Sequence, residues 1–274
     1  MRGDPPAAAR PPLAPDTRVA HIARIQNYWR GGKDNYAVDR EAGEQALRAY
    51  PDLVLSVRAN RAFQVRAVRF LAGEAGIRQF LDIGPGIPAA DGTHEVAVAV
   101  APDARTVYAD NDPVVLAHVR ALLATEPGGG GGGCDCIEGD LRDPGALIGS
   151  VAGLLDLSRP VAIMLVSVLH LVTDEDDPHR IVDRLMAAVP AGSYLALTHV
   201  GADLEAEATA RMAAGLNRAM SGRVTPRTRD QVERFFRGVE LVEPGLVRVP
   251  QWRPDSGLAA ASPSTQWGGV GRKP

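Results

Sequence analysis

The sequence predicts a doubly wound α/β fold. It would have a seven-stranded sheet, mostly parallel, with an antiparallel C-terminal hairpin and an N-terminal helical cap. Three observations predict it. From residue 77, short apolar runs and helical periods alternate five times, the pattern of a parallel sheet covered on both faces. The first apolar run ends in an acid and a Gly-x-Gly turn, "FLDIGPG", and open α/β sheets bind ligands at such strand ends. Late in the chain, "VELVEPGLVRVPQWRP" places two β-prone runs around Pro244-Gly245, which reads as a hairpin.

The elements follow in order. Residues 1–17, rich in Pro and Ala, read as a disordered tail without the apolar core of a signal peptide. Residues 18–76 read as the helical cap. Two helices break at Gly31-Gly32, with Asp34 and Asn35 as capping groups, and "SVRANRAFQVRAVRFLAGEAG" follows as a third, amphipathic helix ended by Gly76. Residues 77–254 read as the ligand-binding domain. "QFLDIG", "RTVYAD", "CIEGD", "PVAIMLVSVLHLV" and "SYLALTHV" are its strands, and Thr93 is a candidate N-cap for "THEVAVAVA". The six-glycine run before Cys134 reads as a flexible loop. Residues 203–220 and "TRDQVERFFRG" read as helices before the hairpin. Residues 255–274 are Gly, Ser, Ala and Pro rich, and read as a disordered or extended tail.

Composition narrows the function classes. A net charge of −3 over 274 residues argues against a duplex nucleic-acid binder. No apolar stretch is long enough for a membrane span. Cys134 and Cys136 are too close for an ordinary disulfide and too few for a structural zinc site. They read as reduced thiols, which fits a cytoplasmic protein. "TDEDDPH" reads as a solvated helix start rather than a metal site.

Three ligands compete for the Gly-x-Gly cradle. A nucleotide triphosphate is disfavoured because no Gly-Lys-Ser/Thr follows. A dinucleotide wants a third glycine, and the run Gly84-Pro85-Gly86-Ile87-Pro88-Ala89 lacks it. S-adenosylmethionine carries no pyrophosphate and does not need that close helix packing. It wants an acid before the glycines, a carboxylate after the second strand and a polar group after the third. Asp82, Asp110 and Asp140 occur in that order. Asp110 alone also suits NAD.

"FLDIGPG", "VYADNDP", "GDLRD" and "VSVLHLV" resemble the successive motifs of class I S-adenosylmethionine-dependent methyltransferases, over roughly residues 20 to 254. With "RIQNYWRGGKDNYAVDRE", the chain resembles a bacterial group of such proteins marked by a "GGKDN" segment, mostly of unassigned substrate. The departure is Pro88, where many class I enzymes have glycine. The resemblance implies a Rossmann-like sheet. It also implies that Asp82 and the backbone of Gly84, Pro85 and Gly86 lie by the methionine moiety. Asp110 would bind the ribose hydroxyls, with Asn111 beside the adenine. Asp140 and the backbone of Leu141 would read the adenine edge, and Ser167 would lie under the methionine end.

Methyl transfer from a sulfonium is an in-line displacement, so the protein chiefly positions the partners, and a general base is needed only for a weakly acidic acceptor. The candidate catalytic residues are His170, after the fourth strand, and Tyr36, in the "GGKDN" segment. His199 is a lesser candidate, and His94 reads as a capping residue. The "GGKDN" segment itself suggests a hinged lid. The expected function is methyl transfer to a small-molecule acceptor. A non-catalytic binder of S-adenosylmethionine or S-adenosylhomocysteine is the alternative, and an NAD(P)-dependent oxidoreductase is third.

Overall fold

The computed structural model describes residues 16–88, 90–125 and 133–274. The expected tail up to residue 15 and most of the glycine run lie outside them. The described residues begin with three helices: α1 (Ile22–Trp29), α2 (Ala37–Ala49) and α3 (Leu53–Gly73). Strand and helix then alternate as β1 (Gln79–Ile83), α4 (Thr93–Val100), β2 (Arg105–Asp110), α5 (Pro113–Thr125), β3 (Cys134–Glu138), α6 (Pro144–Val151), β4 (Ala162–Val166), α7 (Pro178–Ala187) and β5 (Tyr194–Val200). The chain ends with α8 (Ala206–Ala219), α9 (Arg229–Glu233), β6 (Glu240–Leu241), β7 (Val247–Arg248), α10 (Gly257–Ala260) and β8 (Gln266–Arg272).

The sheet runs β3-β2-β1-β4-β5-β8-β6, with β7 also on β8. Its first five strands are parallel. The order reverses between β1 and β4, so the crevice beyond the ends of those strands is the expected ligand position. Strands β1, β4 and β5 are buried along their whole length, which is why they read as unbroken apolar runs.

The C-terminal part differs from the expected hairpin. Among the described residues the sheet has eight strands rather than seven, and β6 and β7 pair with β8 instead of with each other. The stretch expected as a tail supplies β8, which lies antiparallel to β5 from Tyr194↔Arg272 to Val200↔Gln266. Its glycines hide the strand in the sequence, and packing explains them. A Cβ on Gly271 would stand 2.5 Å from Val239 Cγ2, and one on Gly268 would stand 2.7 Å from Val249 Cγ1. A side chain does not fit where neighbours approach so closely.

The helical segment divides between two roles. Phe63, Ala67, Val68 and Leu71 of α3 pack with Phe80, Met164 and Trp252 against one face of the sheet. Ile25 and Trp29 of α1, with Ala42 and Ala46 of α2, pack instead against Met212, Ala213 and Leu216 of α8. The cover over the strand ends is therefore built from both ends of the chain. At its centre is a buried ion pair. Asp39 accepts from Arg24 Nε at 2.8 Å, and also from the backbone N–H groups of His21 and Tyr36.

The candidate site at the strand ends

Register brings the separated motifs together. Ile83 pairs with Ala109, and Asp110 with Glu138. The N–H of Gly84 donates to Ala109 O and that of Gly139 to Asp110 O, so Gly84, Asp110 and Gly139 share one edge. Beyond it opens a cavity of about 360 Å³. Gly84, Gly86, Asp110, Asn111, Asp140, Leu141 and Ser167 all line it, so seven of the nine expected binding residues meet there. Gly84 and Gly86 take φ of 70° and 68°. A Cβ on Gly84 would fall 2.5 Å from Val168 Cγ2, whereas Gly86 faces open space. The turn thus needs glycine twice, for packing behind and for conformation in front. Ser167 adopts φ 61° without being glycine, a strained conformation of the kind that collects at functional sites.

The three acids have different environments. Asp110 accepts from the N–H of Asp112, yet burial pushes its pKa up to about 6. Burial does the same to Asp82, also to about 6, against the opposing bond from Thr93. Asp140 is held below the usual carboxylate range by a two-pronged pair with Arg142 and a bond from Asn111. Asp82 does not reach the large cavity. It is 2% exposed and accepts from Thr93 Oγ1 at 2.6 Å and Gln64 Nε2 at 3.2 Å. It braces the start of α4 against α3 from behind the glycine turn. The candidate N-cap Thr93 is the first residue of α4, after Gly92, and its hydroxyl serves Asp82.

A second cavity, of about 70 Å³, adjoins the first. Ile22, Gln26, Gly84 and Ser167 line both. Pro85 and His170 line the smaller one. Its other walls include Trp29, Leu53, Val57, Val200, Met212 and Leu216, with Arg30, Asn60, Arg61 and Gln64 among the polar residues. His170 is buried, and its Nδ1 has no hydrogen-bond partner among the described residues. Burial, then the nearby Arg227 charge, lowers its pKa to about 4, so the ring is neutral near pH 7.

A family model described as S-adenosyl methyltransferase matches residues 9–274. The chain belongs to the S-adenosyl methyltransferase family. A DUF574 family protein from Streptomyces avermitilis is similar over 94% of this chain and 99% of its own, with 44% identity and a TM-score of 0.89. A structure described as a methyltransferase from Thermobifida fusca is similar over 94% of this chain and 96% of its own, with 40% identity and a TM-score of 0.86. No curated protein matches significantly. An O-methyltransferase family 2 protein from Planctomyces limnophilus, in complex with apigenin, shares the fold. Its identity is 17% and its TM-score 0.51, over 87% of this chain and 66% of its own. The enzyme is therefore an S-adenosylmethionine-dependent methyltransferase, and the oxidoreductase reading has no support.

Several candidate residues of the methyltransferase lie elsewhere. Tyr36 is exposed, lines neither cavity and sits over Arg24, whose guanidinium carbon is 5.2 Å from the ring centre. The "GGKDN" segment is a stitched turn rather than a hinged lid. Asn27 Oδ1 accepts from the N–H of Asp34 and from Asn35 Nδ2, and a Cβ on Gly32 would collide with Asn27 at 2.4 Å. None of residues 31–36 lines either cavity. His199 is committed too. Its Nδ1 donates to Val200 O and its Nε2 accepts from Arg227, which also holds Asp174. His94 bonds Tyr108 at 2.8 Å, and Glu95 caps the Gly92 N–H. In "TDEDDPH", Asp177 caps α7, and no metal-ligand cluster occurs among the described residues.

His21, Gln26, Arg30, Arg61, Gln64 and Gln266 also line the cavities, beyond the residues expected from the sequence. They reach the cavities only because α1, α3 and β8 converge on one strand edge. No motif spacing marks them.

Proposed function

We propose that the protein transfers the methyl group of S-adenosylmethionine to a small-molecule acceptor held between α1, α3 and α8. The single observation behind this reading is the pair of adjoining cavities that meet at Gly84 and Ser167. One is wide enough for a nucleoside, and the other is small, with both apolar and polar walls. A non-catalytic binder would have no use for the second. That cavity therefore favours an enzyme over a sensor.

The residues fit the cofactor. Asp110, half-buried at the cavity edge with the N–H of Asp112 on one oxygen, suits ribose hydroxyl donors. Asn111, Asp140 and the backbone of Leu141 suit the adenine. Asp140 already spends lone pairs on Arg142 and Asn111, which leaves few for an exocyclic amine. The open face of Gly86 and the Gly84-Pro85 backbone suit the methionine chain. Asp82 acts by positioning the turn through Thr93 and Gln64. When bound, the cofactor supplies an electrophilic methyl carbon. The chain's own part is to align the acceptor through the walls of the small cavity and to exclude water. His170, neutral and with a spare ring nitrogen, serves as a hydrogen-bond partner for the acceptor.

Calorimetric titration with S-adenosylmethionine, S-adenosylhomocysteine and NAD tests the assignment, on wild type and Asp110→Ala. Micromolar binding of the sulfonium pair, weakened in the variant and absent for NAD, is the expected result. Binding of NAD alone, or of none of the three, would overturn it.

A further inference from the structure

The smaller cavity is electrically one-sided. Arg30 and Arg61 bring positive charge to its lining, and among the described residues no Asp or Glu lines it. The Arg30 guanidinium donates to the backbone carbonyls of Gln26 and Ile87. Arg61 donates to Gln64 Oε1 and Ala90 O. Asp82 lies outside that lining, bonded by Gln64 and Thr93; burial raises its carboxyl, and the Thr93 bond and the Arg61 charge act to lower it. Burial and then the Arg61 charge bring Arg30 down to about 10, so the two guanidiniums sense each other. S-adenosylmethionine adds a net positive charge, since its sulfonium and ammonium outweigh its carboxylate. A half-buried site with this charge repels a further cation and attracts an anion.

Resting on the proposed function above, we infer that the methyl acceptor is a small oxygen acid that binds as its anion. Arg30 and Arg61 hold its charge, and Val57, Met212 and Leu216 hold its apolar body. An amine acceptor would arrive as a cation and meet two guanidiniums. It would also need a proton acceptor, and His170 is too weak a base to keep it neutral. An ionised carboxylate, or a strongly acidic phenol or enol, needs no base. Its oxygen forms the bond to the methyl carbon as the carbon–sulfur bond breaks and the electron pair stays on sulfur. One negative and one positive charge disappear together, and no proton moves.

The test uses benzoate, benzyl alcohol and benzylamine as probes, titrated near neutral pH into the full-length protein saturated with S-adenosylhomocysteine. The expected order is benzoate first, with benzylamine at least about tenfold weaker. In the Arg30→Gln/Arg61→Gln double variant, benzoate should lose about tenfold or more while S-adenosylhomocysteine affinity stays within about threefold. A matching melting temperature would exclude unfolding. Benzylamine binding as well as benzoate overturns the inference, and so does benzoate failing to bind. It also fails if the variant loses S-adenosylhomocysteine affinity while benzoate is unaffected, because the arginines then serve the methionine carboxylate. If S-adenosylhomocysteine does not bind wild type at all, the reading beneath the inference falls first.

Discussion

His21 Nδ1 lies 2.9 Å from Asp112 Oδ2 and ties the start of α1 to the turn that follows β2. Burial is the largest single effect and opposes the Asp112 charge, but the bond and charge of His21, the Val114 N–H and the Arg24 charge together keep the carboxyl below its usual range. His21 also lines the larger cavity. Asp112→Asn should therefore loosen α1 over the site. We expect a loss of about 1 kcal/mol in chemical denaturation and about a threefold drop in S-adenosylhomocysteine affinity. Unchanged affinity would show that α1 does not need this contact.

Cofactor affinity should depend on acid pH through Asp110. Its folded pKa, about 6, is raised above the ordinary carboxylate value. The free protein therefore takes up a proton there as pH falls toward 6, and its stability gains from that proton between about 6 and 4. Ribose hydroxyls favour the ionised form, so binding must expel the proton. Affinity should be flat above about pH 7 and fall by up to tenfold per unit below about 6. Asp82, raised in the same way by burial, lies outside the larger cavity and should add little. Calorimetry across this range, with Asp110→Asn giving a flatter and weaker profile, checks the assignment.

The Arg24–Asp39 pair should behave as a buried ion pair. Both side chains are almost fully buried, and Asp39 also fixes two backbone N–H groups. Asp39→Ala strands the Arg24 charge and should cost about 3–5 kcal/mol. Replacing both partners by apolar residues should recover part of that loss. A double-mutant cycle in urea measures the difference, and additive costs would refute the coupling.

The C-terminal strand should prove indispensable. Gly271→Ala places a methyl against Val239 and should cost about 1–3 kcal/mol. Removing residues 265–274 deletes the strand between β5 and β6 and should yield no cooperative unfolding transition by circular dichroism. A folded truncation would restore the view of this stretch as a tail.

Ser167→Gly tests strain at the junction of the two cavities. Relief of φ 61° should raise stability by about 1 kcal/mol. It also removes a hydroxyl that lines both cavities, so turnover should fall even as the melting temperature rises.

The sequence by itself determined the β/α alternation, because buried parallel strands must be apolar throughout and "AIMLV" and "YLALTHV" satisfy that requirement locally. It also determined that Gly84, Gly86, Asp110, Asn111, Asp140 and Ser167 gather at one edge, since each lies at or just past the end of a parallel strand and register aligns those ends. Only the tertiary structure decided the rest. The glycine-rich "QWGGVGR" reads as a tail because its reason for being a strand, the close approach of Val239, Val249 and Phe63, lies on other elements. Asp82 faces away from the larger cavity, and Thr93 and Gln64, on two separate helices, both donate to its Oδ2. Arg30 and Arg61 meet across the smaller cavity only because α1 and α3 cross there. Charge brought together by packing between helices leaves no spacing in the sequence to find.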